Sequence, residues 1–210
     1  MTAIIRYNGV FSAPADTPTG PLPTITSDTF NRANSTDIIG SVSDGALGGL
    51  GISWEGYPAN AVALVDGKLV KGAAGGTFSV GLKIPSADVD VTFHMSAALT
   101  SGSGFYVDVR RANVNSGQSP DCYRINFGNT TLGLSKRVSG ATTNFASGIT
   151  YAPGDVIRLT VRGDTLTLRI NNVVVHQATD SSISLAGYVC LSGTGSAAGF
   201  GVEWIAVNNA

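Results

Sequence analysis

The chain is short of charge. Lysine, arginine, aspartate and glutamate make up 13% of its 210 residues, against roughly 25% in an ordinary soluble protein. The net balance is −1. No basic stripe is present to displace counterions from a duplex, so nucleic acid is not an expected partner. The pairs Arg110-Arg111 and Lys136-Arg137 stand isolated and read as solvated strand ends. Long apolar runs are also missing. Nothing approaches the ~18 residues of a membrane span, and membrane insertion is not expected. Ala3-Ile4-Ile5 is too short for the apolar core of a signal peptide. A site of action outside a cell then needs another route, such as assembly into a particle released by lysis.

Cysteine is limited to Cys122 and Cys190. Two thiols allow one intrachain bridge, but both have strand-like flanks, where buried free thiols are common. Free thiols and a disulfide are both open. Two cysteines with two distant histidines, His94 and His176, make no zinc spacing, and no metal or cofactor is expected. Each histidine stands alone in an alternating segment and reads as structural. Capped helical periodicity is absent throughout.

What is abundant is glycine, 27 of 210 residues, well above the usual ~7%. Serine, threonine, asparagine and alanine fill much of the remainder. Such a neutral, small-residue surface suits close packing in an assembly. Proline is concentrated: four fall within the ten residues Pro14 to Pro23. That density prevents helix and sheet interior alike and gives an extended, semi-rigid segment. Ahead of it, Thr2 to Phe11 is strand-like, with Asn8-Gly9 as a turn. Residues 1–27 therefore read as an arm. Its apolar tip, Ile4, Ile5, Tyr7, Val10 and Phe11, is either a disordered terminus or an anchor that adds a strand to a neighbouring chain.

From Asp28 the hydrophobic period is two. Asp66-Gly67 between apolar runs is a strong hairpin signal. Val89 to Met95, Gly104 to Arg110, Cys122 to Phe127, Thr131 to Val138, Asp155 to Arg162 and Thr165 to Ile170 alternate. Asn171-Asn172 turns the chain into Val173-His176, and Ile183-Leu191 and Phe200-Val207 complete the pattern. Regular short strands with turn signals predict an all-β, antiparallel β-sandwich over 28–210.

Asp28-Thr29-Phe30-Asn31-Arg32-Ala33, then Leu47-Gly48 and Trp54, resembles the opening of concanavalin A-like (laminin-G-like) jelly rolls. The version beginning this way is similar to modules in minor tail proteins of actinobacterial phages. Asp155-Val161, Leu166-Asn172 and the closing Phe200-Val207 resemble the family's central and last strands. The chain has Asn171-Asn172 where that family often has Asp-Gly, which weakens a calcium or glycan ligand at that turn. The resemblance implies a jelly roll. It also implies a non-enzymatic virion protein of the phage tail, or less directly a capsid decoration protein or head fibre. The arm would then join other virion proteins in a homo-oligomer, most simply a trimer.

Catalytic residues are not apparent. Glucanases on this fold place three acids as Glu-x-Asp-x-x-Glu on one strand. The chain has only Glu55 and Glu203, neither in that spacing. Asp88 and Asp90 share a face but read as a charged strand edge that blocks unwanted pairing. Gly72-Ala73-Ala74-Gly75-Gly76 lacks the lysine of a phosphate loop. The remaining chemistry is aromatic stacking with a polar rim, the usual way to hold a sugar. Candidates for host-surface polysaccharide are Trp54, Tyr57, Tyr106 and Tyr151, with Asn60, Asp108 and Asn126 as polar partners. Core packing competes for Trp54 and Trp204, while Tyr57, beside Pro58, is the least core-like. A secreted or surface carbohydrate-binding module is the alternative reading.

Overall fold

The computed structural model describes residues 23–57, 62–72, 77–97, 104–114, 121–194 and 201–210. The arm tip residues Ile4, Ile5, Tyr7, Val10 and Phe11, and the candidate Asn60, lie outside the described residues. The first strands are β1 (Thr24–Asp28), β2 (Trp54–Tyr57), β3 (Val62–Val65), β4 (Lys68–Lys71) and β5 (Phe78–Lys83). The middle of the chain forms β6 (Val89–Ala97), β7 (Gly104–Arg111), β8 (Cys122–Phe127), β9 (Thr131–Val138) and β10 (Ala141–Thr150). It ends with β11 (Val156–Arg162), β12 (Thr165–Ile170), β13 (Val173–Thr179), β14 (Tyr188–Thr194) and β15 (Gly201–Asn209).

These strands form two antiparallel sheets. The first runs β13-β12-β11-β6-β15-β4-β3, with β1 also paired to β15. The second runs β10-β9-β8-β7-β14-β5-β2. Alternation decides which side chains face inward. Val89, Val91, Phe93 and Met95 of β6 meet Phe105, Val107, Tyr123, Ile125 and Phe127 of the second sheet in one core. Phe93 and Phe127 pack edge to face across the sheets at 5.8 Å. Each such residue stabilises by about 1.5–3 kcal/mol, more than a typical exposed ion pair at about 0–1 kcal/mol. The inner faces therefore dominate the energetics. Asp66 and Gly67, Ser139 and Gly140, and Asn171 and Asn172 all have positive φ, the backbone that two-residue hairpins require.

The sequence boundary at 28 shifts. Thr24–Asp28 is a strand of the sandwich, paired to Asn208–Ile205 of β15, and Thr26, Ser27 and Asp28 are buried. The other edge of β1 is covered by a loop: Gly45 N–H donates to Ser27 O, and Leu50 N–H to Ile25 O, each at 2.8 Å. Glycine is required at Gly49, where a Cβ would lie 2.6 Å from the Ile25 carbonyl group.

The opening motif builds the lock at this corner. Asp28 is fully buried. Its Oδ1 accepts from Phe30 N–H at 2.8 Å and from Arg32 at 2.7 Å. Its Oδ2 accepts from Trp54 Nε1 at 2.7 Å and from Arg32 at 3.0 Å. Phe30, held at φ +55°, packs its ring 5.9 Å from that of Trp54. Leu47 N–H donates to Ser27 Oγ, which in turn donates to Gly48 O. Asp28, Phe30, Arg32, Leu47, Gly48 and Trp54 of the motif all serve the fold.

Two expectations about charge are corrected. Asp90 does not edge a sheet, because β6 lies between β11 and β15. Its buried carboxylate accepts from Arg158 Nε at 2.7 Å and Thr160 Oγ1 at 2.6 Å. Arg110 and Arg111 are not solvated ends, since both are buried. Arg110 donates to the carbonyls of Ala87, Ile183 and Gly163 and to Asp88, tying neighbouring turns together. His94 lies on the outer face of the first sheet, parallel to Trp204 at 6.2 Å, so Trp204 is half-buried there and not in the core. Cys122 and Cys190 are buried thiols with no disulfide.

Asp180 clamps the end of the second sheet. It accepts from Lys136, Ser182 and the Tyr123 hydroxyl. Burial alone raises its pKa, but the hydrogen bonds from Lys136, Ser182 and Tyr123 override this and hold it at about 2, below 3.8. A depressed folded-state pKa stabilises above the unfolded value and ceases to do so as pH falls through the folded one. Asp180→Asn is expected to lower stability by about 1–2 kcal/mol at neutral pH. In thermal melts against pH, that gap should close between about pH 4 and pH 2.

Candidate functional site

Directly opposed residues in antiparallel strands share a face, so the register maps the outer surface of the second sheet. One row crosses it as Tyr57, Ser79, Ser192, Tyr106, Asn126 and Gly133. The next row is Glu55, Gly81, Cys190, Asp108, Arg124, Ser135 and Asn144. Ser79 and Ser192 are buried, which divides the first row. Tyr57, 58% exposed, stands three strands from Tyr106, roughly 14 Å at the usual strand spacing. The structure does not bring these two tyrosines together.

It does bring Tyr106 and Asn126 together, side by side on β7 and β8. Behind Tyr106, the Arg124 guanidinium sits 4.3 Å from the ring centroid. Arg124 is fixed in turn by Asp108, through Nε at 2.6 Å and a second nitrogen at 2.9 Å. Burial opposes the Arg124 charge, but the Asp108 carboxylate outweighs it and holds the arginine pKa above its ordinary value. Asp108 also accepts from Arg111 at 2.8 Å and Ser192 at 3.1 Å. The result is a tyrosine ring backed by an immobilised guanidinium.

Beyond Asn126 the surface opens into a recess of about 220 Å³, lined by Asn126, Thr131, Gly133, Asn144, Ala146 and Ser147 among others. Its origin is a break in strand pairing. The β9–β10 register shifts between Asn144 and Ala146 and again between Ala146 and Ile149. Such bulges re-aim side chains and recur beside functional sites. Gly133 faces the bulge, and a Cβ there would lie 2.8 Å from Ala146 O. Sequence reading missed Gly133, Asn144, Ala146 and Ser147. The available signal was a single glycine within an apolar strand, which marks a bulge or close backbone approach.

Three candidates are corrected to interior roles. Trp54 is 1% exposed and donates to Asp28, so no ligand reaches its ring. Asp108 is fully buried and cannot touch a sugar; it positions Arg124. Tyr151 is buried against Phe127 at 5.3 Å and donates to Gly128 O at 2.8 Å.

The strands of this face carry two carboxylates, Glu55 and Asp108. They lie three strands apart, roughly 14 Å, whereas glycosidases need about 5–9.5 Å. Glu55 accepts from Tyr188 at 3.0 Å, and Asp108 is committed to two arginines. The internal segments outside the described residues, 58–61, 73–76, 98–103, 115–120 and 195–200, contain neither aspartate nor glutamate. They have no carboxylate to complete a pair.

No protein-family model matches the chain, and no curated protein matches it significantly. Solved structures do. LamA from Zobellia galactanivorans, bound to laminaritriose and laminaritetraose, aligns at TM-score 0.60 and 10% identity over 89% of this chain and 99% of that one. The carbohydrate-binding module CBM66 from Bacillus subtilis aligns at TM-score 0.53 and 14% identity, covering 74% and 92%. The lumenal domain of VIP36 with calcium and Man3GlcNAc aligns at 0.55 and 13%, covering 75% and 83%. At these identities the likeness establishes the fold, a concanavalin A-like jelly roll.

Proposed function

We propose that this chain is a non-catalytic carbohydrate-binding domain whose site is the Tyr106–Asn126 platform and the adjoining recess. One observation carries the reading: an immobilised aromatic ring beside an uncharged recess of amides and hydroxyls. An aromatic face with a few placed polar groups is the chemistry a pyranose needs. Solved structures of the same fold are bound to glucan and mannose oligosaccharides, which makes such ligands the first to try. Separation of Glu55 from Asp108 argues against hydrolysis.

Titration with laminari- and manno-oligosaccharides is the test. Tyr106→Ala is expected to weaken binding at least about tenfold, or about 1.4 kcal/mol, in a protein that melts normally. Undiminished binding by that variant would count against the site, and release of reducing ends would count against the non-catalytic reading.

The likeness to phage tail modules rests on a motif that the Asp28 corner uses for folding. A virion location and a trimeric assembly rest on that resemblance, and attachment through the segment ahead of β1 rests on its proline run and apolar tip as well.

A further inference from the structure

We infer that the recess at the β9–β10 bulge takes a single uncharged pyranose unit, with Asn126 and Asn144 selecting the sugar and Gly133 setting the depth. The inference rests on the glycan reading above and narrows it to a ligand class. No lining residue of the recess is charged. On the adjoining strand β8 the Arg124 guanidinium is turned to Asp108 and lies over Tyr106, and Arg137 of β9 is four residues along the strand from Gly133. A carboxylate or sulfate entering the recess would lose water without gaining a cation, and that loss is costly.

The polar groups are of the right kind and are available. Asn126 Nδ2 donates to Ser135 Oγ at 2.8 Å, which leaves its Oδ1 and its second N–H. Asn144, Thr131 and Ser147 are exposed. A carboxamide offers a donor and an acceptor side by side, and two adjacent sugar hydroxyls offer the matching pair. The volume, about 220 Å³, falls below the roughly 300–1,000 Å³ of pockets that enclose drug-sized ligands, which is the scale of a single sugar unit. Gly133 supplies the floor, because any side chain there would push the bulged Ala146 carbonyl, 2.8 Å from a Cβ, out of place.

The test is isothermal titration of the full chain with matched oligosaccharides, one ending in a neutral hexose and the other in the corresponding uronate. The neutral member should bind at least about tenfold tighter. Asn144→Ala, at an exposed position, should weaken it about fivefold, the equivalent of one hydrogen bond. Asn126→Ala should do the same, and Tyr57→Ala should leave affinity unchanged. A preference for the uronate overturns the inference. So does loss of binding in Tyr106→Ala with both asparagine variants unaffected, although the glycan reading then survives. Binding to no oligosaccharide, or loss confined to Tyr57→Ala, overturns both.

Discussion

Asp28→Ala is expected to destabilise the domain by about 3–5 kcal/mol, the cost of breaking a buried charge pair. The carboxylate is fully buried and serves three different donors: Phe30 N–H, Arg32 and Trp54 Nε1. Its removal leaves the indole N–H unsatisfied inside the core and releases the Arg32 side chain. It also withdraws the acceptor that holds Phe30 at φ +55°, a backbone costly for a bulky residue. Urea unfolding should show the lost stability as a lower midpoint with a similar slope. A loss below about 1 kcal/mol would mean that the corner is a weak surface contact. Asp28→Asn keeps the shape and one acceptor, so its effect should be smaller.

Asp108→Ala should cost a similar amount or more, about 3–5 kcal/mol. The side chains of Arg111 and Arg124 are only 1% and 11% exposed, and they share this one carboxylate. Without it, two buried guanidiniums lose the carboxylate they share. The effect should extend to binding, because Arg124 backs the Tyr106 ring. Sugar affinity should fall in parallel with stability, even though Asp108 lies out of reach of any ligand. Comparing urea midpoints with binding constants for Asp108→Ala and Tyr106→Ala separates the two roles. Only the first variant should lose much stability.

Much of the architecture was legible because it rests on alternation. Cys122–Phe127, Thr131–Val138 and Thr165–Ile170 emerge with the bounds their patterns suggest. The Asp66-Gly67 and Asn171-Asn172 turns show the positive φ that their composition favours. The ten-residue strand β10 was not legible. It is the outermost strand of its sheet and exposed along most of its length, so no buried face imposes a rhythm on its residues. The recess depends on that strand and was missed with it.

At the site, parity was informative and register was not. Trp54 and Tyr57 are an odd number of positions apart, so one strand shows them to opposite faces; only Tyr57 reaches solvent. Tyr106 and Asp108 share a face, as their spacing implies. Their different fates follow from Arg111 and Arg124, which close over the acid. That closure depends on which strands adjoin, a long-range fact that local spacing does not encode.

The pairing of Thr24 with Asn208, reinforced by the Asn209 N–H donating to Pro23 O at 3.0 Å, sets the start of the first strand beside the end of the last. Entry into β1 and departure from β15 are therefore neighbours. Residues 23–210, with that geometry, can be spliced into a surface turn of an unrelated host, spreading the host's two attachment points by little more than the width of a hairpin.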